Sequence, residues 1–237
     1  MVKENNSNEI LINSEKKNIF TESIKTIRTN LSFSAVDKGM QVILITSAMQ
    51  GDGKSFIAAN LAMAYKDENK KVLLIDGDLR LGGQSKIFNV VNCTNKGYSK
   101  LILNYHDNEN IDNYIIKTNE GIDLIPSGPV PPNPIELLSS NNNEKIINLL
   151  KKKYDVIIID STPIFGISDA IVMTKYSDAN ILVVSNKKTK LEMVSKADKL
   201  FKQANSILTG VIINKVDIDK GKKSYGYYSY AYYGDKK

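Results

Sequence analysis

The chain has 237 residues, 42% hydrophobic and 24% charged, enough to close one sizeable core and too few for two full-sized domains. Its longest apolar runs, such as 42–45 and 156–159, stop after a few residues, whereas a bilayer span needs about 20, so the chain is not expected to cross a membrane by itself. The net charge is +6, but Lys220, Lys222, Lys223, Lys236 and Lys237 against Asp235 account for most of it, and Arg28 and Arg80 are the only arginines, so no nucleic-acid partner is expected.

Residues 1–19 mix Lys, Glu and Asn with no continuous apolar stretch and no small-residue cleavage site. No secretory signal is legible, and a cytoplasmic location follows. From about 18 to 35, Phe20, Ile24, Ile27 and Leu31 fall on one helical stripe with Glu22 and Lys25 opposite, which predicts an amphipathic helix.

Strands are predicted near 41–47, 72–76, 122–125, 155–160, 179–185 and 208–213, separated by helical segments. They are continuously apolar rather than alternating, as strands are when helices cover both faces of a parallel sheet. The fold class is therefore α/β, a mainly parallel sheet with helices on both faces.

Between the strands, Cys93 has no cysteine partner, which fits a reducing compartment, and His106 sits in a polar stretch far from any motif. Residues 104–120 read as a surface loop with a short helix. Residues 126–134 form a proline-rich rigid loop leading into one helix to about 150, with Asn133 as cap, Pro134 at its first position and Glu136 three residues after the cap. Beyond about 216 apolar periodicity ends, so residues 1–217 are expected to form the folded domain and 218–237 a flexible tail.

The strongest chemical signal is Thr46-Ser-Ala-Met-Gln-Gly-Asp-Gly-Lys-Ser55, between a strand and the helical pattern Ile57, Ala58, Leu61, Ala62, Tyr65. Gly51 and Gly53 let the backbone turn its N–H groups toward phosphates, and the helix N-terminus adds positive potential. Lys54 would reach the β/γ oxygens, and Ser55 would offer a hydroxyl to Mg2+. This is the strand–loop–helix context of a P-loop NTPase, with Ala48 in place of the first glycine.

Two further strand ends carry acids. Val72-Leu-Leu-Ile-Asp-Gly-Asp-Leu-Arg80 ends in Asp76 and Asp78, spaced so that both share a face, followed by Arg80. Val156-Ile-Ile-Ile-Asp160 places Asp160 similarly. Ligands of open α/β sheets sit beyond the carboxyl ends of strands, so these acids are expected to meet the phosphate loop.

After the last strand, Asn214 could pair with a purine edge, and Asn-Lys-Val-Asp matches the guanine motif of GTPases, although the D-x-x-G switch of those proteins is missing after Asp160. Six tyrosines, Tyr225, Tyr227, Tyr228, Tyr230, Tyr232 and Tyr233, crowd the last 13 residues among Gly, Ser and Ala. Such a string suits entry into an active site, one phenol at a time, as phosphoryl acceptor; each phosphate adds about −1.5 to −2 charges.

The phosphate loop, D-x-D-x-R at 76–80, the acid at 160, GPVPPNPIELL at 128–138 and the tyrosine cluster together resemble the bacterial tyrosine kinases of capsule and exopolysaccharide synthesis, the CapB/CpsD type, over nearly the whole chain. The resemblance implies a P-loop α/β fold using ATP and Mg2+, and transfer to the tail tyrosines of a neighbouring subunit in a ring. It also implies a two-span membrane adaptor of the CapA/CpsC type that recruits the kinase to the inner face of the membrane through its cytoplasmic tail. Dephosphorylation by a cognate tyrosine phosphatase would complete a cycle governing polysaccharide chain length and export.

Carried over by position, the resemblance implies nucleotide contacts from Gln50, Gly51, Asp52, Gly53, Lys54, Ser55 and Phe56. Asp78 and Asp160 would hold the metal directly or through water, Asp76 would orient or deprotonate the phenol, and Arg80 closes its motif. Glu22, Lys25 and Arg28 fall where the family carries an E-x-x-R-x-x-R contact between subunits, with Lys25 replacing an arginine. Phe56 and Gln50 replace a usual Thr and Pro. Met49 stands where ParA/MinD partition ATPases carry a signature lysine, which weighs against the nearest alternative, an ATPase switch of that type without kinase activity.

Overall fold

The computed structural model describes residues 19–34, 39–91, 96–107, 109–186 and 188–217. Cys93 and the tail with its six candidate acceptor tyrosines lie outside the described residues. In chain order the elements are α1 (Ile19–Ser34), β1 (Val42–Ser47), α2 (Lys54–Lys66), β2 (Val72–Asp76), α3 (Gln84–Ile87), α4 (Tyr98–Asn104), β3 (Ile116–Lys117) and β4 (Asp123–Ile125). They continue with α5 (Pro134–Leu138), α6 (Asn141–Lys151), β5 (Val156–Asp160), α7 (Asp169–Met173), β6 (Ala179–Ser185), α8 (Leu191–Gln203) and β7 (Gly210–Asn214).

The seven strands form one sheet in the order β3-β4-β2-β5-β1-β6-β7. Every pairing is parallel except β3 with β4. The apolar runs of β1, β2, β5 and β6 are buried along their whole length, as the sequence predicts for strands covered on both faces.

Alternate side chains divide the core by face. Ile43, Ile45, Leu74, Ile158 and Val183 pack with α1 and α2, whereas Val42, Leu44, Leu73, Ile75, Ile157 and Ile159 pack with α4 and α6. Leu182 and Val184 meet Ala197 and Phe201 of α8. In α1, Ile24 and Leu31 are buried and Phe20 tilts against Phe56 of α2 with ring centroids 5.0 Å apart. The Phe at position 56 thus serves as a packing residue that binds the two helices.

The structure corrects three local expectations. The short helix expected in 104–120 is present as a 3-10 turn at Ile111–Tyr114, but the stretch also holds the unexpected strand β3, whose two residues pair antiparallel with β4 at the sheet edge. The helix expected from 134 to about 150 is two helices, because Ser140 caps α6 by accepting the Asn143 N–H at 3.3 Å. Asn133 does not cap α5 with its side chain; its amide instead donates to Glu136 Oε2 at 3.1 Å.

Candidate active site

β1 delivers the chain into the phosphate loop and α2 carries it away, so Lys54 and Ser55 stand in the first turn of a helix whose N–H groups lack intrahelical partners. Gly51 and Gly53 have φ values of 85° and 98°, a region in which only glycine sits without strain. Asp52 ties the turn together, accepting the Met49 N–H at 2.8 Å through Oδ2.

The acids meet this loop because β2 and β5 are neighbours in register, with Asp76 opposite Asp160. Lys54 Nζ lies 3.0 Å from Asp78 Oδ2, 3.4 Å from Asp160 Oδ1 and 3.3 Å from Ser55 Oγ. Burial works against the Lys54 ammonium, but Asp160 and Asp78 outweigh it and hold its pKa above the ordinary value.

Asp76 accepts the N–H groups of Gly83 and Gln84 at 2.8 and 3.0 Å through Oδ2, while its buried Oδ1 has no hydrogen-bond partner among the described residues. Burial, reinforced by the negative charge of Asp160, pushes its carboxyl up to about 7. Asp52 Oδ1, Gln84 Oε1, Ser161 Oγ and Thr162 Oγ1 are likewise buried without hydrogen-bond partners among the described residues. A concentration of unpaired polar atoms on the loop and just beyond the strand ends marks a place built to receive a polar ligand.

Among the described residues no group of three or more His, Cys, Asp or Glu is arranged to hold a metal by itself. Mg2+ binds through one or two carboxylates and a nucleotide's phosphates while keeping several waters. The hard oxygens of Ser55, Asp78 and Asp160, gathered around one lysine, suit such a cation.

Residues 40–211 match the family model described as an AAA domain. The chain is 37% identical over 228 residues to the tyrosine-protein kinase YwqD of Bacillus subtilis (strain 168), covering 96% of this chain and 92% of that one. The chain belongs to the bacterial tyrosine-kinase family. The crystal structure of the chimerical protein CapA2B2 superposes with a TM-score of 0.80 at 35% identity, covering 87% of this chain and 89% of that one. The septum site-determining protein MinD of Pyrococcus horikoshii OT3 gives a TM-score of 0.59 at 24% identity over 77% of this chain and 76% of its own, a likeness of fold alone.

The structure brings Lys54, Ser55, Asp76, Asp78 and Asp160 of this tyrosine kinase together at the loop. Arg80 turns elsewhere: its guanidinium grips the buried Asp169 with two bonds, Nε to Oδ2 at 2.7 Å and a second to Oδ1 at 3.0 Å. That hydrogen bonding raises the Arg80 pKa above its already high ordinary value. Phe56 faces α1, as described above, and Gln50 is exposed at the turn.

Asn214 is committed to its own chain. Its Nδ2 donates to the Asp52 carbonyl at 2.8 Å and its Oδ1 accepts the Lys215 N–H at 2.8 Å. On α1, Glu22 and Lys25 pair with each other at 3.5 Å on the exposed face, while Arg28 binds the Ala64 carbonyl at 2.8 Å and Glu68 at 2.7 Å on and just beyond α2.

Three residues in or beside the site are not singled out by the sequence as site residues. Gln84 donates through Nε2 to Asp160 Oδ2 at 2.8 Å and to the Ser55 carbonyl at 3.0 Å. Asp169 anchors Arg80, and Lys215 reaches the Gly51 carbonyl at 2.6 Å. The only sequence signal was weak: Gln84 follows two glycines, and Lys215 belongs to the Asn-Lys-Val-Asp run.

Proposed function

We propose that this kinase uses ATP with Mg2+ to phosphorylate the tyrosine cluster at its own C-terminus, in a neighbouring copy, and thereby regulates polymerisation and export of a capsular or exocellular polysaccharide. The observation that carries the reading is the placement of Lys54 between Asp78 and Asp160, with the Asp76–Asp160 register partners directly behind.

Phosphoryl transfer needs positioning and charge neutralisation more than covalent chemistry. The loop amides and Lys54 would bind the transferred phosphoryl group's oxygens, Ser55, Asp78 and Asp160 would hold the cation, and Asp76 would receive the phenol's proton on its unpaired Oδ1. Bound Mg2+ supplies neutralisation of phosphate charge. A tyrosine with a pKa of about 10 is a poor nucleophile at neutral pH, so a carboxylate within hydrogen-bond reach of the phenol raises the rate.

The cofactor reading is supported by the Mg-ADP named with the Pyrococcus MinD structure, whose fold this chain shares. The chimerical protein CapA2B2 supports an adaptor of the CapA/CpsC type as the activating partner, acting from the membrane. No helix among the described residues is long and apolar enough to cross a membrane, so recruitment to the inner face would fall to that adaptor. Assembly into a homo-oligomeric ring through α1, and reversal by a cognate tyrosine phosphatase, complete the proposal.

The test is incubation with Mg-ATP and the adaptor's cytoplasmic tail, followed by phosphosite mapping by mass spectrometry. Phosphate on Tyr225–Tyr233, lost in Lys54→Met, supports the reading. Free phosphate release over an unmodified tail would favour a partner-changing ATPase instead.

A further inference from the structure

Two consecutive residues at the end of β7 grip two consecutive carbonyls of the phosphate loop: Lys215 Nζ binds Gly51 O at 2.6 Å and Asn214 Nδ2 binds Asp52 O at 2.8 Å. In a trans peptide the carbonyl of one residue and the N–H of the next point in opposite directions. Holding the Asp52 carbonyl from the β7 side therefore aims the Gly53 N–H away from β7. Holding the Gly51 carbonyl fixes the peptide before it, whose Asp52 N–H closes the turn onto the Met49 carbonyl at 3.3 Å.

The fit is close on both sides. A Cβ on Gly53 would stand 2.2 Å from Asn214 Nδ2, so the glycine is what lets the amide approach. Lys215 adopts a left-handed φ of 58°, unusual for a residue with a side chain, and its N–H is held by Asn214 Oδ1 at 2.8 Å. Backbone strain is thus tolerated where it directs an ammonium onto the loop.

From this we infer that Asn214 and Lys215 are positioning residues that preorganise the phosphate loop, and that Asn214 acts on the loop's backbone rather than on the nucleotide's base. Preorganised donors bind a phosphate without first spending interaction free energy on ordering the loop. The inference rests on the nucleotide reading of the loop given above.

The experiment measures ADP affinity by calorimetry, with kcat and KM for ATP, in the full chain and in Lys215→Ala, Lys215→Gly, Lys215→Arg and Asn214→Ala. Lys215→Ala and Asn214→Ala are expected to weaken ADP binding and raise KM by roughly tenfold, with a smaller change in kcat. Lys215→Gly removes the strain together with the ammonium, so it should melt no lower than the parent and still lose affinity. Lys215→Arg should recover part of it.

Unchanged ADP affinity in Lys215→Gly would overturn the inference, as would equal losses of kcat and affinity that track the melting temperature. Absence of ADP binding by the parent chain would instead refute the nucleotide reading. A change in preference between ATP and GTP in Asn214→Ala, with the same diphosphate affinity, would return that residue to reading the base and overturn its assignment here.

Discussion

Asp76 and Asp160 stand opposite one another across β2 and β5, and one buried residue, Gln84, holds both: its backbone N–H binds Asp76 at 3.0 Å and its side-chain amide binds Asp160 at 2.8 Å. Two like charges on adjacent strands repel, and a neutral side chain that donates to one while its own backbone donates to the other fixes their separation without adding charge. Gln84→Leu is expected to lower kcat by roughly ten- to a hundredfold, the usual effect of removing a residue that orients catalytic carboxylates. Steady-state kinetics on the variant, with its melting temperature as the check on folding, measures this.

The raised carboxyl of Asp76 makes stability of the nucleotide-free protein depend on pH. Its folded value near 7 lies above the unfolded value of 3.8, so the folded state binds a proton that the unfolded state has released. Stability from this group is greatest at acid pH and is lost as pH rises through that window, at most about 1.4 kcal/mol per pH unit. Asp76→Asn keeps an oxygen for the Gly83 and Gln84 N–H groups. It should flatten the slope and melt higher than the parent at about pH 8, while losing phosphoryl transfer. Chemical denaturation across that range reads both effects.

Arg80 and Asp169 couple the segment after β2 to α7. Arg80→Ala leaves the buried Asp169 carboxylate without its partner and is expected to cost about 2 kcal/mol, a buried-pair figure discounted for the partial exposure of the guanidinium. Arg80→Lys should recover little, since an ammonium cannot make the paired contact. The double variant with Asp169→Asn should be more stable than the sum of the single losses predicts, which a double-mutant cycle in denaturant measures.

The two glycines of the loop should respond differently. A side chain on Gly51 meets nothing within 4 Å, whereas one on Gly53 collides with Asn214. Both substitutions strain a left-handed backbone, but Gly53→Ala also displaces the amide that holds Asp52. ADP affinity should therefore fall by roughly tenfold or more in Gly53→Ala and by less in Gly51→Ala. Titration calorimetry on the pair decides it.

Most of the sheet was legible in the sequence because four of its strands are buried on both faces and therefore appear as unbroken apolar runs. β3 escaped because two residues of an edge strand leave no periodicity, and the break between α5 and α6 escaped because a serine pair fits a helix as readily as it ends one. The loop and the three acids were readable because each sits at a strand end in a recognisable run. The long-range contacts around them were not: Gln84 meets Asp160 across 76 positions, Arg80 meets Asp169 across 89, and Lys215 meets Gly51 across 164. An amide, guanidinium or ammonium that works at such range has no local pattern to betray it, and the same holds for Arg28, whose attachment to α2 takes up part of what looked like a free helix face.

The grip of Lys215 on Gly51 also bears on the proposed transfer to the C-terminal tyrosines. Two residues beyond that grip the described chain ends at Asp217, and Tyr225 stands eight residues further on. At no more than about 3.6 Å per residue, the ten residues from Lys215 to Tyr225 span at most about 36 Å from the rim of the phosphate loop. Reach alone therefore does not forbid a phenol from turning back on the subunit that carries it. Under the proposed transfer between copies, orientation by a neighbouring copy would make the selection, and diluting the kinase separates the two routes: self-directed transfer keeps its rate per molecule, and transfer between copies slows.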